Sequence, residues 1–184
     1  MPEFKSYKGV TDYRGISRLY FFRLIKCIID IASLDRRRVR ILDFGCGQNR
    51  LKQNLGGKVT GYDIIEDLSD TTDWRTESFD VFVANQVFYT FTAEELVKLL
   101  TELYQGWPKV ELIVGISKQG LLNKIGKFLL GKKGAHDETK LSPDDERRVL
   151  TEFCTIEREE SVFFLASVYK LRFKSVCRKN CCNR

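Results

Sequence analysis

The segment Ile41-Leu42-Asp43-Phe44-Gly45-Cys46-Gly47 decides the fold of this 184-residue chain. A short apolar run that ends in two closely spaced glycines is typical of a strand running into a tight turn. Asn49–Leu55 then suits a short helix that ends at Gly56-Gly57, and Lys58–Tyr62 suits a second strand. Glycine in the turn lets backbone amides approach a ligand where a Cβ would clash. The segment therefore predicts a strand–helix–strand unit with a ligand at its turn.

The chain after this unit continues to alternate strands with helices. Ser78–Asn85 is apolar on both faces, as a central parallel strand is. Thr92 and Glu95 form a capping box that opens a helix to about Tyr104. The other predicted elements are a nearly all-apolar helix at Gly15–Ala32, a strand at Val110–Ile116, a basic amphipathic helix at Gly120–Leu130, a helix from Ser142-Pro143, and a closing pair of strands, Thr155–Arg158 with Phe163–Lys174.

This alternation predicts an α/β fold in which helices cover both faces of a mostly parallel sheet, with an antiparallel hairpin at one edge. Only 16 residues separate Asp63 from Asp80, too few for a helix plus a strand. The second crossover is therefore expected to be shortened to a loop and a stub of strand. We expect one domain over 1–174, with a helical cap at 1–35, a lid at 118–150 and a basic, cysteine-containing tail at 175–184.

Composition excludes several classes of protein. The net charge of +6 comes from a tail with six basic residues and no acid after residue 169, so the body is formally neutral, which argues against a nucleic-acid-binding face. Six cysteines without a CxxC pair and a single histidine argue against a zinc site. The chain shows no apolar run of about 18 residues and no signal core at its start, so we expect a cytoplasmic protein with free thiols.

Two acids flank the glycine turn. Asp43 precedes the first glycine by two residues and could hold a cationic amino group. Asp63 ends the second strand 18 residues after Gly45, near the offset at which an acid accepts the hydroxyls of a ribose. The third glycine of a dinucleotide fingerprint is replaced by Arg50, which disfavours NAD and FAD.

Three motifs in register resemble the class I S-adenosylmethionine-dependent methyltransferases. They are Ile41–Gly47 for the glycine motif, Gly61-Tyr62-Asp63 for the ribose acid, and Ser78–Phe82 with Asn85–Phe91 for the family's fourth-strand motif. The resemblance covers roughly residues 40 to 117. It implies a three-layer, Rossmann-like, doubly wound sheet and S-adenosyl-L-methionine as cofactor.

The resemblance also implies which residues hold that cofactor. The methionine part would lie on Asp43 and the Phe44–Gly47 segment, including Cys46, and the ribose on Asp63 beside Ile64. Asn85 and Gln86 would line the methyl site. The shortened crossover leaves the family's adenine acid unassigned; we choose Asp73, with the face of Trp74 against the purine, and keep Asp70 as the alternative acid and a plain core position as the alternative for Trp74. As a separate hypothesis, Tyr7 and Tyr13 near the start of the chain would fold over the cofactor.

The acceptor side of the site is less defined. Methyl transfer depends mainly on placing the nucleophile in line with the methyl group, and aromatic faces tolerate a cationic sulfur. Tyr89, with Phe88 and Phe91, follows the third predicted strand at that place, although these residues also fit a core. His136 and Asp137 could serve as a base if the acceptor is a hydroxyl, or could be solvated loop residues.

We therefore expect a methyltransferase for a small-molecule or glycan acceptor, with oxygen favoured as the acceptor atom. A non-catalytic cofactor-binding protein is one alternative. An RNA methyltransferase is the other, although the neutral body and Gln86-Val87-Phe88 after Asn85 argue against it. The lysines of 118–133 either face solvent or bind an anionic substrate or a membrane surface.

Overall fold

The structure is a computed structural model that describes residues 16–118 and 140–175. Its helices and strands are α1 (Ile16–Ile31), β1 (Ile41–Phe44), α2 (Arg50–Leu55), β2 (Val59–Tyr62), β3 (Val81–Asn85), α3 (Ala93–Gly106), β4 (Glu111–Ser117), α4 (Pro143–Phe153), β5 (Cys154–Val162) and β6 (Ala166–Phe173). Several predictions lie outside the described residues: Tyr7, Tyr13, the helix at Gly120–Leu130, the residues His136 and Asp137, and the tail from residue 176.

The described strands form one six-stranded sheet in the order β2-β1-β3-β4-β6-β5. β2, β1, β3 and β4 are parallel, and β6 and β5 add an antiparallel edge. The chain moves outward from β1 to β2 and then crosses back to β3 on the other side of β1. Ligands of such sheets bind at the carboxyl ends of the strands where the order reverses. The predicted doubly wound topology with its antiparallel edge is confirmed.

Helices cover both faces of the sheet. α1 and α2 pack on one face over a cluster that includes Leu24, Ile28 and Leu51. α3 and α4 pack on the other face, where the core is richer in aromatic rings. The caps predicted from sequence are formed: Thr92 and Glu95 bond each other's backbone amides at the start of α3. Three layers therefore bury the central strands on both sides.

The crossover from β2 to β3 is a loop with two short 3₁₀ turns, Glu66–Leu68 and Trp74–Thr76. The expected stub of strand is absent from these described residues, and Asp70 takes its place at the sheet edge. The Asp70 amide donates to the Gly61 carbonyl at 2.8 Å, and the Gly61 amide donates to Asp70 Oδ2 at 2.7 Å. One residue thus satisfies both backbone groups of Gly61 that face outward.

The closing hairpin differs from its predicted boundaries. β5 extends to Val162, and Phe163 lies in the turn rather than in the last strand. The Leu165 amide donates to the Val162 carbonyl at 2.9 Å, so Phe163 and Phe164 are the two central residues of the turn. Both have positive φ, 48° and 58°. Phenylalanine favours strands, which explains the incorrect boundary.

Candidate functional site

The turn after β1 is held in an open, backbone-lined conformation. Gly45 and Gly47 have φ of 76° and 50°, the left-handed region that glycine adopts without strain. The amides of Gly45 and Cys46 both donate to the Tyr62 carbonyl, at 2.7 and 3.1 Å. No atom of the described residues lies within 4 Å of where a Cβ on Gly47 would stand. The turn is therefore fixed against β2 on one side and open at Gly47.

Asp63 joins this turn to the end of β2. Its Oδ2 accepts a hydrogen bond from the Gly47 amide at 3.0 Å, and its Oδ1 accepts one from the Ile65 amide at 3.1 Å. The Ser69 hydroxyl accepts from the Asp63 amide. Each carboxylate oxygen keeps a lone pair beyond its backbone bond. The carboxylate is half-buried, which leaves it able to accept two hydroxyl groups.

Asp43 is the third of the four residues of β1 and is buried in the sheet, only 5% exposed. No described residue donates a hydrogen bond to its carboxylate. Burial raises the pKa of Asp43 to about 7, and the nearby negative charge of Asp63 adds to the effect. A buried acid without a partner is costly when ionised. The position is therefore suited to a cationic ligand group, which would stabilise the carboxylate.

Cys46 is a buried, protonated thiol between these acids. Its Sγ lies 3.3 Å from the Leu68 carbonyl, and it packs with Asn49 over Gly61, where any Cβ would clash. Burial raises the pKa of Cys46 to about 12, with further contributions from the charges of Asp43, Asp63 and Asp70. The thiolate is the nucleophilic form. The environment thus keeps Cys46 unreactive beside a site for an electrophile.

The end of β3 lies next to the ends of β1 and β2, with Ala84 paired to Phe44 and Phe44 to Tyr62; we call the region at these three strand ends the cleft. Asn85 Oδ1 is buried and has no hydrogen-bond partner among the described residues. Gln86, at a positive φ of 56°, donates from its side chain to the Tyr20 hydroxyl at 2.6 Å. Val87 packs against Gly45, where a Cβ would clash with its side chain. The sequence predicted Asn85 and Gln86 here, but Tyr20 of α1 was hidden in a uniformly apolar helix.

The predicted adenine contacts are only partly placed at the cleft. Ile64, directly after Asp63, is 82% exposed and is free to cover a ligand. Trp74 is 2% exposed and packs edge-on against Phe44. Its face is therefore unavailable to a purine, and the prediction of a stacking role is corrected to the core alternative. Asp73 accepts hydrogen bonds from the backbone and side chain of Arg75.

The alternative adenine acid, Asp70, is already paired. Its Oδ1 lies 2.5 Å from Lys52 Nζ, and its Oδ2 accepts from Gly61 as described above. These bonds use the carboxylate to close the sheet edge. The Asp70 side chain is thus engaged at the sheet edge, whereas the partly exposed Asp73 keeps one carboxylate oxygen, Oδ2, without a hydrogen bond from a described residue.

The turn after β3 links the cleft to α4. Phe88 is 1% exposed and belongs to the core, whereas Tyr89 is half-buried. The Tyr89 carbonyl accepts from the amides of Lys140 and Leu141, at 2.8 and 3.2 Å. The chain leaves the sheet after β4 at Lys118, next to the carboxyl ends of the strands. The described chain resumes at Lys140, whose amide bonds Tyr89, so Lys118 and Lys140 both lie beside the carboxyl ends of the strands.

Glu146 is a buried carboxyl that the sequence prediction missed. It is 2% exposed on α4, on the face that carries Val149 and Leu150 into the core. α4 packs against α3, β4 and the turn at Phe88–Thr90. Burial raises the pKa of Glu146 to about 8. The signal was its position on the apolar stripe with Val149, Leu150 and Phe153, but an acid in the first turn of a helix is usually interpreted as a helix-start residue.

A second polar cluster lies at the opposite end of the sheet. Glu111, 3% exposed at the start of β4, contacts three cations: Arg37 at 2.6 Å, Lys170 at 3.2 Å and Arg172 at 3.3 Å. A groove of about 540 Å³ runs over it beside the end of α1. Glu157 also pairs with Lys170 and Arg172, so two carboxylates and three cations close the amino end of the sheet.

The described residues contain neither a metal-binding cluster nor a membrane-spanning helix. No group of three or more histidine, cysteine or acidic side chains there is arranged to hold a metal ion. None of the helices in this part of the chain is long and apolar enough to cross a membrane.

No protein-family model and no curated protein sequence matches the chain. Solved structures do. Magnesium protoporphyrin IX methyltransferase from Synechocystis PCC 6803, with bound S-adenosylhomocysteine (SAH), superposes with a TM-score of 0.61 at 15% identity, covering 91% of this chain and 92% of the other. The PH0226 protein from Pyrococcus horikoshii OT3 gives 0.62 at 19% identity, covering 86% and 93%.

A third structure is the N-methyltransferase NodS from Bradyrhizobium japonicum WM9 in complex with SAH, with a TM-score of 0.58 at 15% identity, covering 88% of this chain and 89% of NodS. At these identities the similarity establishes the fold. The chain has the Rossmann-like fold of the class I S-adenosylmethionine-dependent methyltransferases, as the resemblance of its motifs implied.

Proposed function

We propose that the protein is an S-adenosylmethionine-dependent methyltransferase with a small-molecule acceptor. The observation that carries the proposal is the connection between Gly47 and Asp63, which brings an open backbone turn and a hydroxyl-accepting carboxylate to the point where the strand order reverses. Fold and motifs agree with it. Solved neighbours named for magnesium protoporphyrin IX and for mitomycin support a small-molecule acceptor.

The residues present fit the cofactor. Asp43 offers a buried carboxylate to the amino group of the methionine part, and the space at Gly47 admits the ligand against bare backbone. Asp63 offers one free lone pair on each oxygen to the two ribose hydroxyls. Ile64 would cover the adenine. Tyr13, outside the described residues, would close over the ligand.

The bound cofactor supplies an electrophilic methyl group on a sulfonium. The protein's part is placement, because aligning the nucleophile with that methyl group accounts for most of the acceleration. Asn85, Gln86 and the Tyr89 turn would line the methyl side, with the Asn85 oxygen as an available acceptor. The neutral Cys46 thiol would not compete with the acceptor for the methyl group.

For the acceptor we propose an oxygen nucleophile on a small molecule or glycan. His136, oriented by Asp137, would take its proton as a general base. Replacing His136 by alanine is expected to lower the turnover rate without changing SAH affinity, with Asp137→Asn giving a smaller loss of rate. An unchanged rate in the His136→Ala protein would eliminate this base.

The test of the main proposal has two stages. Calorimetry with SAH measures cofactor binding without turnover, and methyl-labelled S-adenosylmethionine with a panel of hydroxyl, amine and carbon acceptors measures transfer. Asp63→Ala is the control that should lose binding. Failure of the wild-type protein to bind SAH would end the proposal, whereas binding without transfer to any acceptor or cell extract would indicate a non-catalytic binding protein.

A further inference from the structure

Four large apolar side chains are exposed at the carboxyl end of the sheet, away from the cofactor cleft's own residues. Leu19 and Phe22 lie on α1, at 52% and 58% exposure, and Phe163 and Phe164 lie in the β5–β6 turn, at 49% and 84%. We call these four residues the aromatic rim. Ile64 is the other large apolar side chain exposed in the described part, and it belongs to the candidate cofactor site.

The two parts of the rim lie at similar height on neighbouring elements. α1 packs against β5 and β6, and Cys27 Sγ lies 3.5 Å from Glu160 Oε2. From that contact, α1 rises about 7.5 Å over five residues to Phe22. β5 rises about 10 Å over three residues to Phe163. Both parts thus project at the end of the sheet where the strands β1 to β4 finish.

The apolar character is confined to that end. Phe22 is followed down the exposed side of α1 by Arg23, Lys26 and Asp30, and the last two form an ion pair at 2.9 Å. The buried side of the same helix carries Leu24 and Ile28. A helix that merely covers a sheet needs one apolar side. The exposed Leu19 and Phe22 are therefore not explained by packing within the described chain.

The turn between β5 and β6 gives a stronger reason to look for a function of the exposed rim residues outside the fold itself. The loop between the paired residues Val162 and Ala166 has three residues, and the first two, Phe163 and Phe164, both have positive φ, a conformation in which glycine and asparagine are favoured over phenylalanine. A bulky L-residue is sterically disfavoured there, because its Cβ approaches the following carbonyl oxygen. Phe163 and Phe164 adopt this disfavoured conformation although burial of their rings does not compensate for it, since both side chains are exposed to solvent. The β5–β6 turn is therefore less stable than it would be with glycine or asparagine at these positions, and it exposes two aromatic rings.

We propose that the aromatic rim inserts into the surface of a lipid bilayer that contains anionic lipid. Arg23 and Lys118 flank the rim, and neither side chain forms an ion pair with a described residue. The Lys118 Nζ donates to the Ser161 hydroxyl at 3.4 Å, and the Lys118 amide donates to the Leu165 carbonyl in the β5–β6 turn. Cations beside an inserted apolar surface add electrostatic attraction to anionic headgroups. The charge of the surroundings therefore matches such a membrane.

The size and shape of the rim favour lipid over a protein partner. Taking about 200 Å² for a fully exposed phenylalanine, its four side chains offer roughly 500 Å². A stable protein interface buries roughly 800 Å² on each partner. The rim also projects as separate points from two elements rather than lining a groove. A fluid lipid bilayer can accommodate separate apolar side chains of this kind without a preformed complementary surface.

The test is flotation of the full-length protein with phosphatidylcholine vesicles, with and without phosphatidylglycerol. The wild-type protein should bind, and more tightly when phosphatidylglycerol is present. The double substitution Phe163→Asn with Phe164→Gly installs the preferred turn residues, so it should raise the melting temperature while weakening vesicle binding roughly tenfold or more. Arg23→Ser with Lys118→Ser should reduce the difference between the two vesicle types, and the other basic residues of this chain of net charge +6 account for any difference that is left.

Ile64→Asn, which removes an exposed apolar residue outside the rim, is the matched control and should bind vesicles as the wild-type protein does. SAH binding in vesicle-free buffer should be unchanged in the double turn variant, which separates this proposal from the proposed function. Absence of wild-type binding, or equal binding by the turn variant, would overturn the proposal. A concentration-dependent dimer that the turn variant abolishes would overturn it in favour of a second copy of the chain.

Discussion

The backbone amide of Gly47 donates a hydrogen bond to Asp63 Oδ2 at 3.0 Å, which ties the turn after β1 to the end of β2. The acid that would accept ribose hydroxyls thus also holds the backbone that would contact the rest of the ligand. Because one carboxylate serves both purposes, its two oxygens must both be acceptors. A substitution that keeps the shape of the side chain but removes one acceptor oxygen should therefore impair ligand binding.

Asp63→Asn is expected to lose almost as much SAH affinity as Asp63→Ala. The asparagine amide nitrogen cannot accept from Gly47 or Ile65, so one of these backbone bonds is lost together with one ribose acceptor. Hydrogen bonds to a charged group contribute about 1.5–3 kcal/mol each, which predicts a loss of at least about tenfold in affinity. Calorimetric titration with SAH measures it, and near-wild-type binding by the asparagine variant would contradict the role of the carboxylate.

Asp43 should make ligand binding depend on pH. Its pKa of about 7 in the ligand-free protein means that it is largely protonated in mild acid. A cationic amino group binds the ionised form better, so SAH affinity should fall as pH drops below 7, with proton release on binding at neutral pH. Titrations in buffers of different ionisation enthalpy detect that proton directly.

Asp43→Asn is the control for this pH dependence. It should bind SAH more weakly at about pH 8 and lose the pH dependence between about pH 6 and 8. Since burial of the ionised acid is also costly to the fold, the stability of the ligand-free wild-type protein should decrease as pH rises from about 4 to 7. The decrease should be smaller in the variant, in which Glu146 is the remaining buried acid with a raised pKa among the described residues. A pH-dependent affinity that persists in Asp43→Asn would assign the titration to another group.

Gly45→Ala and Gly47→Ala should fail for different reasons. A methyl group at Gly45 meets the Val87 side chain at a positive φ, so the variant should lose stability and binding together. A methyl group at Gly47 meets no described atom, so stability should fall by only about 1 kcal/mol. Affinity for SAH should nevertheless drop, because the methyl group enters the ligand space.

Thermal melts and SAH titrations on both proteins separate these outcomes. Gly57→Ala is the matched control, because Gly57 also has open space for a methyl group and lies outside the candidate site. It should leave the melting temperature and the affinity close to wild-type values. Full SAH affinity in Gly47→Ala would show that the open space is not where the ligand lies.

The grouping of Asp43, Gly47 and Asp63 was predictable from the sequence because adjacent parallel strands place their carboxyl ends together. The observed register, with Asp43 beside Gly61, follows directly from that rule. Trp74 was not predictable in the same way. In a loop without periodicity, the sequence does not determine which side an aromatic residue faces, and the shortened crossover leaves Trp74 to cover Phe44 and Phe79.

The remaining differences also have local causes. The hairpin boundary depended on Phe163 and Phe164 adopting a left-handed conformation that their residue type disfavours. The hydrogen bond between Tyr20 and Gln86 joins residues 66 positions apart, and nothing in an apolar helix marks one tyrosine as a partner of the cleft. Hydrogen bonds between single polar side chains far apart in the sequence cannot be predicted from residue patterns.

Glu146 should be a source of pH-dependent instability. Its pKa is about 8 in the folded protein and about 4.5 in an unfolded chain, so the fold binds a proton that the unfolded chain has released at neutral pH. Stability should therefore decrease as pH rises from about 5 to 8. Glu146→Gln keeps the shape without the charge and should raise the free energy of unfolding at pH 8, on the order of a few kcal/mol.

Chemical denaturation of both proteins at about pH 5 and pH 8 tests this prediction. The gain from Glu146→Gln should be small at the lower pH and larger at the higher pH, because only the ionised carboxylate is costly to bury. Glu152→Gln, an exposed position of the same helix, is the control and should show no such difference. A Glu146→Gln protein that is less stable than wild type at pH 8 would mean that the ionised carboxylate has a favourable partner.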